Sequence, residues 1–169
     1  MKALVIALLL FPFALFSQSS SLNKLISVSA ADSNRTHAMV SGKAFELMSY
    51  AEIDTFFTAE VMELAKSIHG MEGYMDLSKN TGESFLKKLS STKDFENYAS
   101  IDSKQQRFVI YINQKDGLVK EVIMAAIVDD KGIAASIYGQ MDIRLIGELF
   151  KLVPYAQFKT IEQLRNEKK

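Results

Sequence analysis

The chain has 169 residues, room for one domain rather than two, and 48% hydrophobic against 24% charged residues is the balance of an ordinary soluble fold. Twenty basic side chains offset 20 acidic ones, so no field of one sign is available to steer the molecule onto nucleic acid or anionic lipid, and no nucleic-acid partner is expected. The absence of cysteine excludes disulfides, thiolate zinc sites, iron–sulfur clusters, cysteine nucleophiles and an N-terminal lipid anchor.

In chain order, Met1-Lys2 supplies a positive charge, Ala3 to Phe16 runs apolar except for Pro12, and Ser17-Gln18-Ser19-Ser20-Ser21 follows. This is the layout of a secretory signal peptide. An apolar helix of about 14 residues is roughly 21 Å long, short of a hydrocarbon core of about 30 Å. Residues 1–17 are therefore expected to be a leader whose removal leaves a mature chain starting at Gln18, with Ser20 as the alternative. The product is an exported protein, periplasmic or secreted, with no stable membrane span. Residues 18–35 are serine-rich and aperiodic, which predicts a flexible lead-in. An α+β domain over 36–155 follows, and a polar tail over 156–169 can form one short helix.

Within the domain, Ser41 is a plausible cap for a short helix carrying Phe45, Leu47 and Met48. Phe57, Val61, Leu64 and Ile68 recur at helical spacing and predict a helix from Thr55 to Ser67 behind Asp54. Gly70 to Leu77 alternates loosely as a strand. Asn80 and Glu83 have capping-box spacing ahead of a helix burying Phe85, Leu86 and Leu89 and ending near Ser91. Tyr98 to Asp102 is a weak strand, and Arg107 to Asn113 a strong one with both faces apolar. Asp116-Gly117 and Asp129-Asp130-Lys131-Gly132 are hairpin turns on either side of a strand over Leu118 to Val128, with a further strand over Ile133 to Gly139. Strands joined so tightly are antiparallel neighbours. Asp142 then opens an amphipathic helix through Ile143, Ile146, Leu149, Phe150 and Val153, stopped by Pro154. The fold class expected is α+β: an antiparallel sheet of four to five strands, built on a meander over 107–139, with helices packed on one face.

Chemistry is harder to find. His37 and His69 lie on different elements without metal-ligand spacing and read as structural or surface residues. The spacing Ser-x-x-Lys occurs at Ser21/Lys24, Ser84/Lys87 and Ser90/Lys93, but the companion motifs of serine–lysine catalysis are absent and chance accounts for the matches. Asp129-Asp130 sits where a turn favours aspartate. Glycine-rich phosphate loops are missing. No catalytic residue, metal or cofactor is expected. Met71, Met75, Met124 and Met141 are the residues to inspect for an apolar cavity, with a packed core as the simpler outcome.

The stretches Met39 to Met48, Phe108-Val109-Ile110-Tyr111, Lys120-Glu121-Val122-Ile123 and Ile137 to Ile143 resemble the "domain of unknown function 4252" family of secreted Bacteroidota proteins. The resemblance covers most of residues 37–153. It implies an envelope location, no established reaction and, more loosely, a role in envelope sensing beside a membrane regulator. Tyr138, Gly139 and Asp142 are the binding candidates it singles out, while the residues themselves suggest a steric need for glycine at 139 and a helix cap at 142. The function expected is a non-enzymatic exported envelope protein that binds another protein, such as an accessory or sensing component. The rivals are an apolar-ligand or lipid carrier, and an enzyme whose carboxylates only the fold brings together.

Overall fold

The computed structural model describes residues 20–50, 59–103 and 106–146. The leader, the first turn of the helix expected from Thr55, most of the closing helix and the polar tail lie outside them. In chain order the elements are α1 (Leu22–Leu25), a single 3-10 turn (Ala30–Asp32), β1 (Thr36–Ser41), α2 (Gly42–Tyr50), α3 (Ala59–Ser67), β2 (Ile68–Ser78) and α4 (Lys79–Ser91). Then come β3 (Glu96–Asp102), β4 (Gln106–Lys115), β5 (Leu118–Val128) and β6 (Lys131–Asp142), with a helical turn over 143–146.

The meander forms as its turns dictate. Asp116 and Gly117 adopt φ of 55° and 75°, the left-handed pair that a two-residue hairpin needs, and Asp129 at 53° opens the second turn. β6 then returns to pair with β2, giving one antiparallel sheet in the order β1-β2-β6-β5-β4-β3. Six strands form, more than the four to five expected. The extra one is β1, whose residues are almost all exposed and so carry no apolar alternation to betray a strand.

Successive side chains of a strand point to opposite faces, and the central strands are apolar at both parities, so neither face can be left in water. On one face Tyr74, Leu77, Val109, Tyr111, Ile123 and Ile127 pack under Phe85, Leu86 and Leu89 of α4 and under Leu22 and Ile26. On the other, Ile110, Ile112, Val122, Ile137 and Met141 pack with Leu64 of α3, Phe45 of α2 and Ile146. Helices therefore cover both faces, correcting the one-face expectation. The apolar doubling of β4 was the signal for it.

Three local expectations are also corrected. α4 starts at Lys79 and is capped by Ser78, whose Oγ accepts from Thr81 N at 3.3 Å, two residues before Asn80. Gly139 does not end its strand, which runs on to Asp142. Glycine is needed there because a Cβ would sit 2.1 Å from the carbonyl oxygen of Ser67. The serine-rich segment is no loose lead-in either: Leu22 and Asp32 are fully enclosed.

Asp32 is what fixes that segment. Its Oδ1 accepts from Ser78 N at 2.7 Å, and its Oδ2 from Ser29 N at 2.7 Å, Ser29 Oγ at 2.8 Å and Thr81 Oγ1 at 2.8 Å. Burial alone would raise its pKa, but the donors from Ser78, Ser29 and Thr81 outweigh that and hold the carboxyl well below the usual range. Asp32→Asn should therefore lower stability by about 2 kcal/mol at neutral pH, read as the urea midpoint. A depressed pKa stabilises above the unfolded value and loses that contribution as pH falls. The gap between wild type and variant should hold constant near neutrality and shrink only below about pH 4.

Candidate functional site

Polar groups collect beneath the N-terminal segment, on the face that α4 covers. β2 places Gly70, Glu72 and Tyr74 at one parity, and their partners on β6 are Tyr138, Ser136 and Ala134. Glu121 of β5 pairs with Tyr138, and Ile123 with Ser136. Glu121 reaches this face through an irregularity: the ladders shift register on either side of it, between Asn113/Gln114 and between Val119/Glu121. Val119 is thereby released to the opposite core while Glu121 faces this one.

The two glutamates are only 2% and 4% exposed. Such carboxylates are tolerated inside a protein only when donors surround them. Glu121 Oε1 accepts from Ser136 Oγ at 2.5 Å, Ser21 N at 2.9 Å and Ser20 Oγ at 3.3 Å. Glu72 Oε1 meets His37 Nε2 at 2.7 Å and accepts from Asn23 Nδ2. Tyr74 donates its hydroxyl to Asn23 Oδ1, and the His37 ring stacks on Tyr74 with centroids 4.3 Å apart. α1 is thus held by main-chain and side-chain donors aimed at two acids of the sheet, with Leu22 driven into the core between them.

The phenols sense the same field. Burial pushes Tyr138 up first, and the charges of Glu72 and Glu121 add to it. Burial likewise raises Tyr74, with Glu72 assisting and Arg35 opposing. Chemically, the cluster fastens one segment to the sheet. Among the described residues no group of three or more acidic, histidine or cysteine side chains could hold a metal ion.

Of the residues singled out from sequence, Tyr138 belongs to this cluster. Gly139 is next in the chain but lies against Ser67 of α3. Asp142 caps the helical turn at 143–146, accepting from Arg144 N at 2.8 Å and from Arg144 Nε at 3.0 Å. The Arg144 hydrogen bonds, side chain first and then backbone, hold its carboxyl at about 2. The structure does not bring the three into one site. His37 is a partner of Glu72, while His69 is exposed on β2. Met141 is fully buried, Met71 and Met124 pack against the same core, and Met75 is 46% exposed. None of the four lines the open clefts of about 340, 370 and 560 Å³ that the surface carries. In the 370 Å³ cleft the charges pair with each other: Lys79 with Asp130 at 3.3 Å, Arg107 with Glu83 at 3.3 Å and with Asp102 at 3.1 Å.

A second feature escaped the sequence. On the α3 side of the sheet, register aligns Ile101 with Phe108, Phe108 with Ala126 and Ala126 with Ile133, a single apolar row across four strands. Ile101 is 55% and Ile133 46% exposed, and Val128 and Met75 beside the row are exposed too. α2 and α3 cover the other end of this face, and no described element covers the row.

The sequence did offer a signal for the glutamates. Glu72 shares its parity with Tyr74, and Glu121 with Ile123 and Ala125, so each places a charge where the strand points inward.

Against known proteins, the family model described as Domain of unknown function (DUF4252) matches residues 18–149. No curated protein and no solved structure matches the chain.

Replacing Glu121 by Gln keeps its size but puts an amide where donors converge. Stability should fall by about 2 kcal/mol, and amide exchange at Ser21 and Leu22 should quicken well beyond that of the β4–β5 hairpin. In an alkaline absorbance titration of the wild type, Tyr74 and Tyr138 should ionise above the usual value of about 10. Tyr138 should move back toward it in Glu121→Gln.

Proposed function

We propose that this chain, which belongs to the family described as Domain of unknown function (DUF4252), is an exported, non-enzymatic envelope protein that binds another protein through the exposed apolar end of its sheet. The observation that carries this reading is the row Ile101, Phe108, Ala126 and Ile133 with Val128 and Met75 beside it. Contiguous apolar surface on a sheet face is costly to leave in water and is characteristic of a protein interface. Both ends of the row are exposed and its middle is not, with partly buried Phe108 between exposed isoleucines, which suits an anchor enclosed by a partner.

Export rests on the leader pattern of residues 1–17 and on a family match that starts at residue 18. A role in sensing beside a membrane regulator is the finer form of the proposal and follows from the family resemblance alone. The carrier reading draws less support, because the clefts described are open and bordered by lysine, arginine and acidic residues. The enzyme reading gains one point in its favour, since Glu72 and Glu121 do converge. Both, however, are enclosed, at 2% and 4% exposure, and the Oε1 of each meets partners from Ser20, Ser21, Asn23, His37 and Ser136, an arrangement that favours docking the segment over meeting a substrate.

The test is recovery of the tagged protein from native envelope fractions. The wild type should bring down a partner in near-stoichiometric amount and begin at Gln18 by N-terminal sequencing. Ile133→Glu should lose that partner while its unfolding midpoint stays within about 0.5 kcal/mol of wild type, as an exposed substitution does. A protein still carrying Lys2 would defeat the export half of the reading. Retention of the partner by Ile133→Glu, or no partner at all, would defeat the binding half.

A further inference from the structure

The two outer strands of the sheet are protected very differently. β3 carries an acid at each end, Glu96 and Asp102, and its ladder with β4 is irregular between Asn97 and Ala99. Charges and bulges are the devices by which natural sheets discourage strand addition. If β3 added to itself about Ala99, Glu96 would lie directly opposite Asp102 of the second copy, a like-charge pair that opposes the contact.

β1 has none of this. Thr36-His37-Ala38-Met39-Val40-Ser41 contains no acid, lysine, arginine or proline, and it pairs with β2 without a register shift from Thr36 to Ser41. Among the described residues nothing pairs with its outer edge: five of its six residues are exposed, and Met39 is 66% exposed. A regular, uncharged edge with an unburied methionine at its middle is a template for another strand.

We infer that β1 pairs antiparallel with β1 of a second copy, joining two six-stranded sheets into one across a two-fold axis at Met39. Such an axis runs along the sheet normal, so residues of one parity must oppose residues of the same parity. Centred on Met39, the register sets His37 opposite Ser41 and Ala38 opposite Val40 of the second copy. Within the six strand residues no like charges meet. Met39 meets Met39 of the second copy, which removes two exposed thioether side chains from water together. The same six residues thus serve as template and as added strand, which is why the occupant is a second copy rather than an unrelated peptide. This surface is separate from the Ile101–Ile133 row, so the inference stands apart from the proposed function.

An edge of six residues is about 20 Å long and buries less than the roughly 800 Å² per partner of a standard interface. The dimer should therefore depend on concentration, with a dissociation constant on the order of 10 μM. Sedimentation equilibrium of the full mature chain should show that dimer. Met39→Lys, which opposes two charges on the axis, should weaken it at least about tenfold without altering the unfolding midpoint. Because the chain has no cysteine, Met39→Cys introduces a single thiol. Directly opposed residues in antiparallel strands have Cα atoms about 4.5 or 5.5 Å apart, within disulfide range. Mild oxidation should cross-link Met39→Cys into a dimer and leave Tyr98→Cys, on the β3 edge, uncross-linked. A wild type monomeric to about 100 μM, ten times the expected constant, would overturn the inference. So would a dimer that survives Met39→Lys, or equal cross-linking at 39 and 98. Ile133→Glu should leave the dimer intact, and its loss there would point to the other surface.

Discussion

Four central strands that are apolar on both sides impose one demand twice: each face needs a cover, and the described helices supply it unevenly. α4 is amphipathic and covers one face well through Phe85, Leu86 and Leu89. Among the described residues, α2 and α3 reach only part of the other. The remainder on the first face falls to residues 20–32, a segment whose serines and short apolar runs would not fold alone. Much of the protein's character follows from how that poor cover is attached.

Apolar burial supplies part of the attachment, chiefly Leu22 and Ile26. The rest is polar and directional. Asp32 gathers donors from Ser29, Ser78 and Thr81, so one carboxylate ties the segment both to the end of β2 and to the first turn of α4. Glu121 and Glu72 do the equivalent at the other end, through Ser20, Ser21 and Asn23. Hydrophobic contact alone would let a segment so short slide along the sheet, whereas three fixed carboxylates admit one position. Burying an acid costs several kcal/mol unless donors surround it, and among the described residues no buried side-chain polar atom lacks a partner. The serines that make the segment look featureless are the donors. Specificity of docking, more than depth of burial, is what these residues contribute.

This explains which parts of the structure were legible in the sequence. Features governed by local chemistry were read correctly: the Asp116-Gly117 turn, the bounds of β5, the helix ending at Ser91 and Asp142 as a cap all depend on residues within a few positions of one another. Features governed by partners far along the chain were not. β1 is defined only by its hydrogen bonds to β2, and the serine-rich segment acquires order from acids about 50 and 100 residues away. Glu121 is a particular case: its parity with Ile123 and Ala125 marks it as inward, but the irregularity before it turns Val119 to the opposite core, which alternation does not predict. The face count failed for a different reason. Arg107 to Asn113 is visibly apolar at both parities, yet the consequence, a second layer, follows only from the whole sheet. Of the three candidate residues, Tyr138 lies in the polar cluster, Gly139 answers to packing against α3, and Asp142 to capping.

Among the described residues the second face is covered only in part, and under the proposed binding role that matters more than the buried acids do. A protein that needed only to be stable could have placed polar residues at the outward parity of its strands, as it does at Lys115 and Lys131 near the turns. Ile101, Val128 and Ile133 instead sit in or beside a row that register aligns across four strands. Isolated exposed apolar residues are common and mean little. Alignment makes them a surface, because cross-strand neighbours can be covered together by a single partner element. The buried carboxylates hold the opposite face closed and fixed, so under the proposed binding role the row is presented on a sheet that does not have to reorganise. Preorganisation of that kind lowers the entropy lost on association. The polar anchoring of one face and the apolar exposure of the other are therefore parts of one arrangement: three carboxylates fix the covered face, and among the described residues the aligned row is left open on the other.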